Sequence, residues 1–202
     1  MKEIVPGIRT WSVYSTEKSM NFNGWYVRAG GEAVVIDPPK TSDDVLQEMA
    51  REGRPAAVIL TNKHHTRATE TLRATFGCPV LVHDSERELM DIPVDRTFRN
   101  GDVLPCGLKV YTVSHSKTPG ESALLFDGSV RALIVGDAVL GKPAGSLSLL
   151  PAPMIRDAGR AIDGLRRLAG VEFEALLLGD GEPILRGGRQ ELLRFIERAG
   201  QA

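Results

Sequence analysis

Four short segments of this chain place polar, chemically capable residues directly after apolar runs. They are Asn62 to Arg67, His115 to Glu121, Gly136-Asp137 and Gly179-Asp180-Gly181. Imidazoles and carboxylates brought together can hold a metal ion and activate water, whereas Arg and Lys fix anions. Loops at strand ends, held by a rigid scaffold, are where such groups are usually assembled. Each segment also has an ordinary reading. Gly-Asp after a strand is turn chemistry, His64-His65 can simply start a helix, and Lys117-Thr118-Pro119-Gly120 suits an exposed turn. Their joint order carries the information. No Ser-His-Asp order and no glycine-rich phosphate loop accompanies them.

The elements that must position these segments alternate strands with helices. Trp11 to Tyr14, Trp25 to Arg28 and Ala33 to Ile36 read as strands, the last two joined at Gly30-Gly31. A helix follows, with Thr41 as N-cap, Asp44 completing a capping box, and Val45, Met49 and Ala50 on one face. Ala57 to Leu60 reads as a buried strand, Ala68-Leu72-Phe76 as a helix ended by Gly77, and Pro79 to Val82 as a strand. Thr97 to Thr112 reads as strands around a Gly101-Asp102 turn. The order then repeats. A hairpin spans Ala123 to Phe126 and Val130 to Val135, followed by a helix from about Arg156 to Leu168. Next come a strand at Ala175 to Leu178 and a helix from about Gln190 to Arg198. Asp37 corresponds to Asp137 in this repeat, and Asn62 to Asp180. Two such similar halves should pack sheet on sheet beneath outer helices, an α/β four-layer αβ/βα sandwich. Trp11, Tyr14 and Trp25 are expected to pack within the sheet. Leu147, Leu149 and Leu150 are expected to form an apolar wall beside the site, and Gly187-Gly188 a helix-start turn.

The 202 residues suit a single domain spanning 1–202. With 25 Lys and Arg against 26 Asp and Glu, bulk charge excludes strong binding to nucleic acid or an anionic membrane. Met1 to Gly7 lacks the apolar core of a signal peptide, and no apolar run approaches the ~18 residues of a membrane span. The expected compartment is the cytoplasm, with Cys78 and Cys106 as reduced thiols.

The order and flanks of the polar segments resemble the metallo-β-lactamase fold over the whole length. Val58-Ile59-Leu60-Thr61 leads into the segment matching the family's His-x-His-x-Asp-His. Ser116-Lys117-Thr118-Pro119-Gly120 matches the loop of the next histidine, Val135-Gly136-Asp137-Ala138 the bridging aspartate, and Leu178-Gly179-Asp180-Gly181 the last ligand. The resemblance places zinc ligands at positions 62, 64, 66, 67, 117, 137 and 180. Here those positions hold Asn62, His64, Thr66, Arg67, Lys117, Asp137 and Asp180, so only His64 and Asp137 match. Arg stays charged, and Lys beside a dication repels it. A dinuclear site is therefore not expected, and the metal motif is degenerate.

The replacements balance, because Arg67 and Lys117 face Asp137 and Asp180. Arg67 is expected to pair with Asp137 or Asp180, and Lys117 to sit beside His64 and Asp137. Asn62, His64, His65, Thr66, Arg67, Lys117, Asp137 and Asp180 are expected to line one pocket. The leading expectation is a pocket without cofactor that takes a small anionic ligand. The alternative is a hydrolase of ester, thioester or lactone-type substrates using one weakly bound divalent metal. Its ligands would come from His64, His65, His115, Asp137 and Asp180, with His64, Asp137 and Asp180 foremost. The second alternative is an inactive structural module.

Overall fold

The computed structural model describes residues 1–155 and 157–200. Seven strands form one sheet in chain order: β1 (Lys2–Val5), β2 (Ile8–Ser15), β3 (Met20–Ala29), β4 (Glu32–Ile36), β5 (Val58–Ile59), β6 (Val80–His83) and β7 (Arg96–Phe98). Five form the other, and they follow as β8 (Val103–Leu104), β9 (Leu108–Thr112), β10 (Ser122–Asp127), β11 (Arg131–Val135) and β12 (Ala175–Leu178). Their spatial order is β12-β11-β10-β9-β8. The helices are α1 (Asp43–Glu52), α2 (Thr69–Phe76), α3 (Ala158–Ala169) and α4 (Gly188–Ala199). None of the described helices is long and apolar enough to cross a membrane.

Strand alternation decides the layers. Along β3, Trp25 and Val27 face the second sheet, where they meet Leu124, Phe126 and Ile134. Tyr26 points the other way and joins Val35, Leu46, Met49 and Leu72 beneath α1 and α2. The second sheet behaves alike, since Leu125, Leu133 and Leu176 pack with Ile162, Leu165, Leu192 and Ile196 of α3 and α4. Strands covered on both faces must be apolar at successive positions, which explains the unbroken runs Ala33 to Ile36 and Ala175 to Leu178. The outcome is helix, sheet, sheet, helix.

The repeat is visible in the pairing. β3 and β4 are antiparallel and β4 and β5 parallel, as β10 and β11 are antiparallel and β11 and β12 parallel. Asp37 and Asp137 thus leave equivalent strand ends. Backbone bonds stitch the two sheets together at this edge. Ser122 N–H donates to Thr61 C=O at 2.9 Å, Asn23 N–H to Gly179 C=O at 2.8 Å and Gly181 N–H to Asn21 C=O at 2.8 Å. The Asn23 amide adds two bonds of 2.8 Å, to the carbonyls of Leu178 and Gly181.

Several local expectations are corrected. Ser42, not Thr41, precedes α1, and no side-chain cap forms; the Thr41 hydroxyl bonds Pro39 C=O instead. Tyr14 is 60% exposed because it lies near the solvent end of β2, whereas Trp11 and Trp25 are buried. The strands around Gly101-Asp102 divide between sheets, β7 pairing with β6 and β9 with β10. Leu147 is buried in the α3/α4 core rather than forming wall. The expected start of the third helix at Arg156 lies outside the described residues; α3 is capped by Asp157, whose carboxylate accepts from Arg160 N–H at 3.0 Å. Gly187 does start α4, in a left-handed conformation.

Gly24 faces the ring of Trp11, and a Cβ there would stand 2.5 Å from Pro39 Cδ and 2.7 Å from Trp11. Gly24→Ala should therefore lower stability by about 1–3 kcal/mol through overpacking. Unfolding in denaturant reads this directly, and an unchanged midpoint would show that the Trp11–Pro39 contact yields freely.

Candidate active site

The polar loops meet at the carboxyl ends of the parallel pairs β4/β5 and β11/β12, where open α/β sheets gather ligands. The centre is His65, 1% exposed. Its Nδ1 lies 2.8 Å from Asp37 Oδ2 and its Nε2 3.3 Å from Asp137 Oδ1. Burial alone would drive the ring neutral, but a carboxylate at each nitrogen outweighs it and holds the pKa well above the usual histidine value. The raised pKa favours the imidazolium, with Asp37 and Thr61 Oγ1 (3.2 Å) beside Nδ1 and Asp137 beside Nε2. Asp37 is fixed in turn by Thr61, whose N–H and hydroxyl donate at 2.8 and 2.6 Å. Its backbone has φ +49°, a left-handed conformation that Asp tolerates better than most residues and that these bonds hold in place.

Asp137 spends its second oxygen on Lys117, whose Nζ donates at 2.8 Å. Burial would raise this carboxyl, yet His65 and Lys117 together hold it below the ordinary range. Asp180 lacks such partners. Arg67 Nη2 is 3.8 Å away, and Asp180 Oδ1 has no hydrogen-bond partner among the described residues, so burial raises its pKa. Arg67 is placed by stacking instead, with its guanidinium carbon 4.1 Å from the centre of the Phe22 ring. Phe22 bridges to Asp180 through the backbone, so one contact seats both charges. The cluster holds three carboxylates, Asp37, Asp137 and Asp180, against three cations, His65, Lys117 and Arg67.

Behind it lies a second buried pair. Glu121 accepts from the Asn62 amide at 3.1 and 3.3 Å and from Asp137 N–H at 2.8 Å. Its burial, and then the charge of Asp137, push its pKa well above the carboxylate range. Glu86, fully buried in the turn Asp84–Leu89, accepts from Lys63 N–H at 3.1 Å and Gly120 N–H at 2.7 Å. One carboxylate thereby ties the loop of Arg67 to the loop of Lys117.

Not every expected residue lines the cavity. His64, His65, Arg67, Lys117, Asp137 and Asp180 do, around a volume of about 450 Å³. Asn62 is buried behind them, holding Glu121 and accepting from His64 N–H at 2.8 Å through its own carbonyl. Thr66 is not in the wall; its C=O accepts from Thr69 N–H at the start of α2. His64 is kept neutral by partial burial and then by the charge of Lys117. The residue grouped with Asp137 and Asp180 is His65, not His64, with one ligand atom of each within 4.8 Å of the others. The family register treats position 65 as variable, so the imidazolium's role was hidden. Asp37 appeared only as the partner of Asp137 in the repeat, and Glu121 only as the end of a loop. His115 faces a neighbouring cavity, and His83 is structural, 3.0 Å from the Thr112 hydroxyl.

These residues do not suit a dinuclear metal centre. A metal needs deprotonated ligands. Both nitrogens of His65 face carboxylates, Asp137 has both oxygens engaged, and Lys117 and Arg67 add charge where a dication would add more.

The model of the metallo-beta-lactamase superfamily matches residues 1–198, and the chain belongs to that family. It is 25% identical over 199 aligned residues to the protein ML0493 of Mycobacterium leprae, covering 84% of this chain and 90% of that protein. It is similar also to a hydroxyacylglutathione hydrolase of Tolumonas auensis, 26% identical over 160 residues, 76% of this chain and 58% of that protein. Two metallo-beta-lactamases share the fold, TMB-1 with a TM-score of 0.78 and DIM-1 with 0.77. Each is 17% identical and is covered to 96% by 99% of this chain.

Removing His65 leaves buried Asp37 with no cation beside it and Asp137 with Lys117 alone. His65→Ala should cost about 3–5 kcal/mol, whereas Arg194→Ala, which loses only an exposed pair with Glu191, should cost about 0–1 kcal/mol. Equal midpoints for the two variants would show that the network is not buried in solution.

The pH dependence has a definite sign. A raised histidine pKa gives stabilisation that is complete below the unfolded value of 6.5 and lost as pH rises through the folded value. The depressed Asp137 pKa gives stabilisation present above 3.8 and lost as pH falls. The stability gap between wild type and His65→Asn should thus narrow as pH rises into the alkaline range. Chemical unfolding across a pH series checks this, and a gap that widens would contradict it.

Proposed function

We propose that the protein binds a small organic anion with an apolar body, in a pocket whose charges come from side chains rather than from metal. One observation carries this reading. Arg67 is stacked on Phe22 with 27% of its side chain exposed, and its guanidinium makes no hydrogen bond to a described residue. A planar fork of donors held in a cavity with nothing to donate to suits a carboxylate or phosphate.

The surroundings support it. Among the described lining residues, Lys18, His65, Arg67, Lys117 and Lys142 outnumber Glu17, Asp137 and Asp180, so the cavity favours a negative guest. The same lining includes Leu149, Leu150, Pro151 and Met154, which would cover an apolar body. His64, neutral at the same wall, can donate or accept a hydrogen bond there.

A hydrolytic reading has one specific support, the approach of His65, Asp137 and Asp180 together with the unpartnered Asp180 Oδ1. It requires His65 to lose a proton and Lys117 to leave Asp137. The similarity to a hydroxyacylglutathione hydrolase makes thioesters the substrate class to try first under that reading.

Octanoate is a suitable probe, and it should raise the melting temperature of chelator-treated protein. Arg67→Met should weaken its binding by about tenfold to a hundredfold, the loss of a charged hydrogen bond. Calorimetry on both proteins tests this. Unchanged affinity in Arg67→Met, or octanoate binding only after zinc is added, would overturn the reading.

A further inference from the structure

A second cavity, about 680 Å³, adjoins the first, and Lys117 and Met154 belong to the walls of both. The two differ in character. The first has a broad apolar wall, while the second presents the hydroxyl-bearing residues Ser116 and Thr118 with Lys63, His115 and Arg160. Asp157 is the one carboxylate among its described lining residues, and it is already engaged as the cap of α3. Thr118 is 4% exposed, and its Oγ1 finds no hydrogen-bond partner among the described residues.

Glu86 makes the two cavities one mechanical unit. Its carboxylate holds Lys63 N–H of one loop and Gly120 N–H of the other, so Lys63, Arg67 and Lys117 keep a fixed relation. Lys117 stands at the boundary with its ammonium turned to Asp137 in the first cavity. Cations therefore line both cavities, which share Lys117 and Met154.

We propose that the two cavities form one groove for an elongated dianion. One anionic group lies at Arg67, an apolar spacer crosses Met154, and a second anionic group lies at Lys63 and Arg160. The proposal rests on the anion-binding reading above and adds the second charge and the spacer. Once the first group is bound, the second meets its cations intramolecularly, so affinity gains without a second loss of overall freedom.

A series of straight-chain α,ω-dicarboxylates from succinate to sebacate tests this by calorimetry, with octanoate as the single-charge control. Affinity should pass through a maximum at one length, where the diacid binds about tenfold tighter than octanoate. Arg160→Ala should abolish that advantage and leave octanoate affinity unchanged. Arg160 caps through its backbone N–H, which alanine keeps, so the variant retains the turn. If octanoate binds but every diacid binds equally or more weakly, the groove is wrong and the single-anion reading stands. A diacid preference that survives Arg160→Ala also overturns the groove. If neither octanoate nor any diacid binds, both readings fail.

Discussion

An imidazolium clamped between two buried carboxylates is the interaction on which this site depends. His65 reaches Asp37 at the end of one half of the fold and Asp137 at the end of the other. Remove the ring's charge, and two carboxylates at the seam of two sheets face one another in a medium that cannot solvate them. The other contacts follow from this one. Asp137 can remain ionised because His65 and Lys117 share it, and Lys117 is thereby drawn into the cavity. Asp37 needs Thr61 to turn it toward the ring. Gly136 has no Cβ because Thr61 Oγ1 and Glu121 Oε1 already occupy that space.

This arrangement explains how a fold associated with metal chemistry can lack most metal ligands and still hold a polar centre. In the proposed reading, cations of the chain take the electrostatic place of cations from solution. A side-chain cation differs from a metal in two ways. It cannot lower the pKa of a bound water as zinc does, and it presents N–H donors of fixed direction. Arg67 shows the consequence, since Phe22 orients its donor fork and no described residue uses it. Under the proposed function, an anion would take up that fork.

The layers were legible because strands covered on both faces leave unbroken apolar runs, and because Gly and Asp mark their ends. The repeat of hairpin, aspartate, helix and strand was legible for the same reason, and it placed Asp37 opposite Asp137. The pairing of Lys117 with Asp137 followed from charge balance. The role of His65 was not legible, because spacing along the chain does not tell which of two adjacent histidines turns inward. That choice is made by Asp37, 28 positions earlier in the numbering, through a contact between the loops that follow the neighbouring strands β4 and β5. Asn62 and Thr66 stand at ligand positions in the sequence, but Asn62 turns inward to Glu121 and the Thr66 carbonyl bonds the helix start. Capping of α1 failed as an expectation because Thr41 found a nearer acceptor in Pro39.

The protonation of His65 in the presence of zinc tests the account most directly. Nitrogen NMR of labelled protein near neutral pH reports each ring nitrogen separately. With zinc added in excess, both Nδ1 and Nε2 should remain protonated, their signals unchanged by the metal and each coupled to its own hydrogen. Loss of the proton from either nitrogen on zinc addition, with the shift of a metal-bound imidazole, would contradict the claim that side-chain cations fill this site.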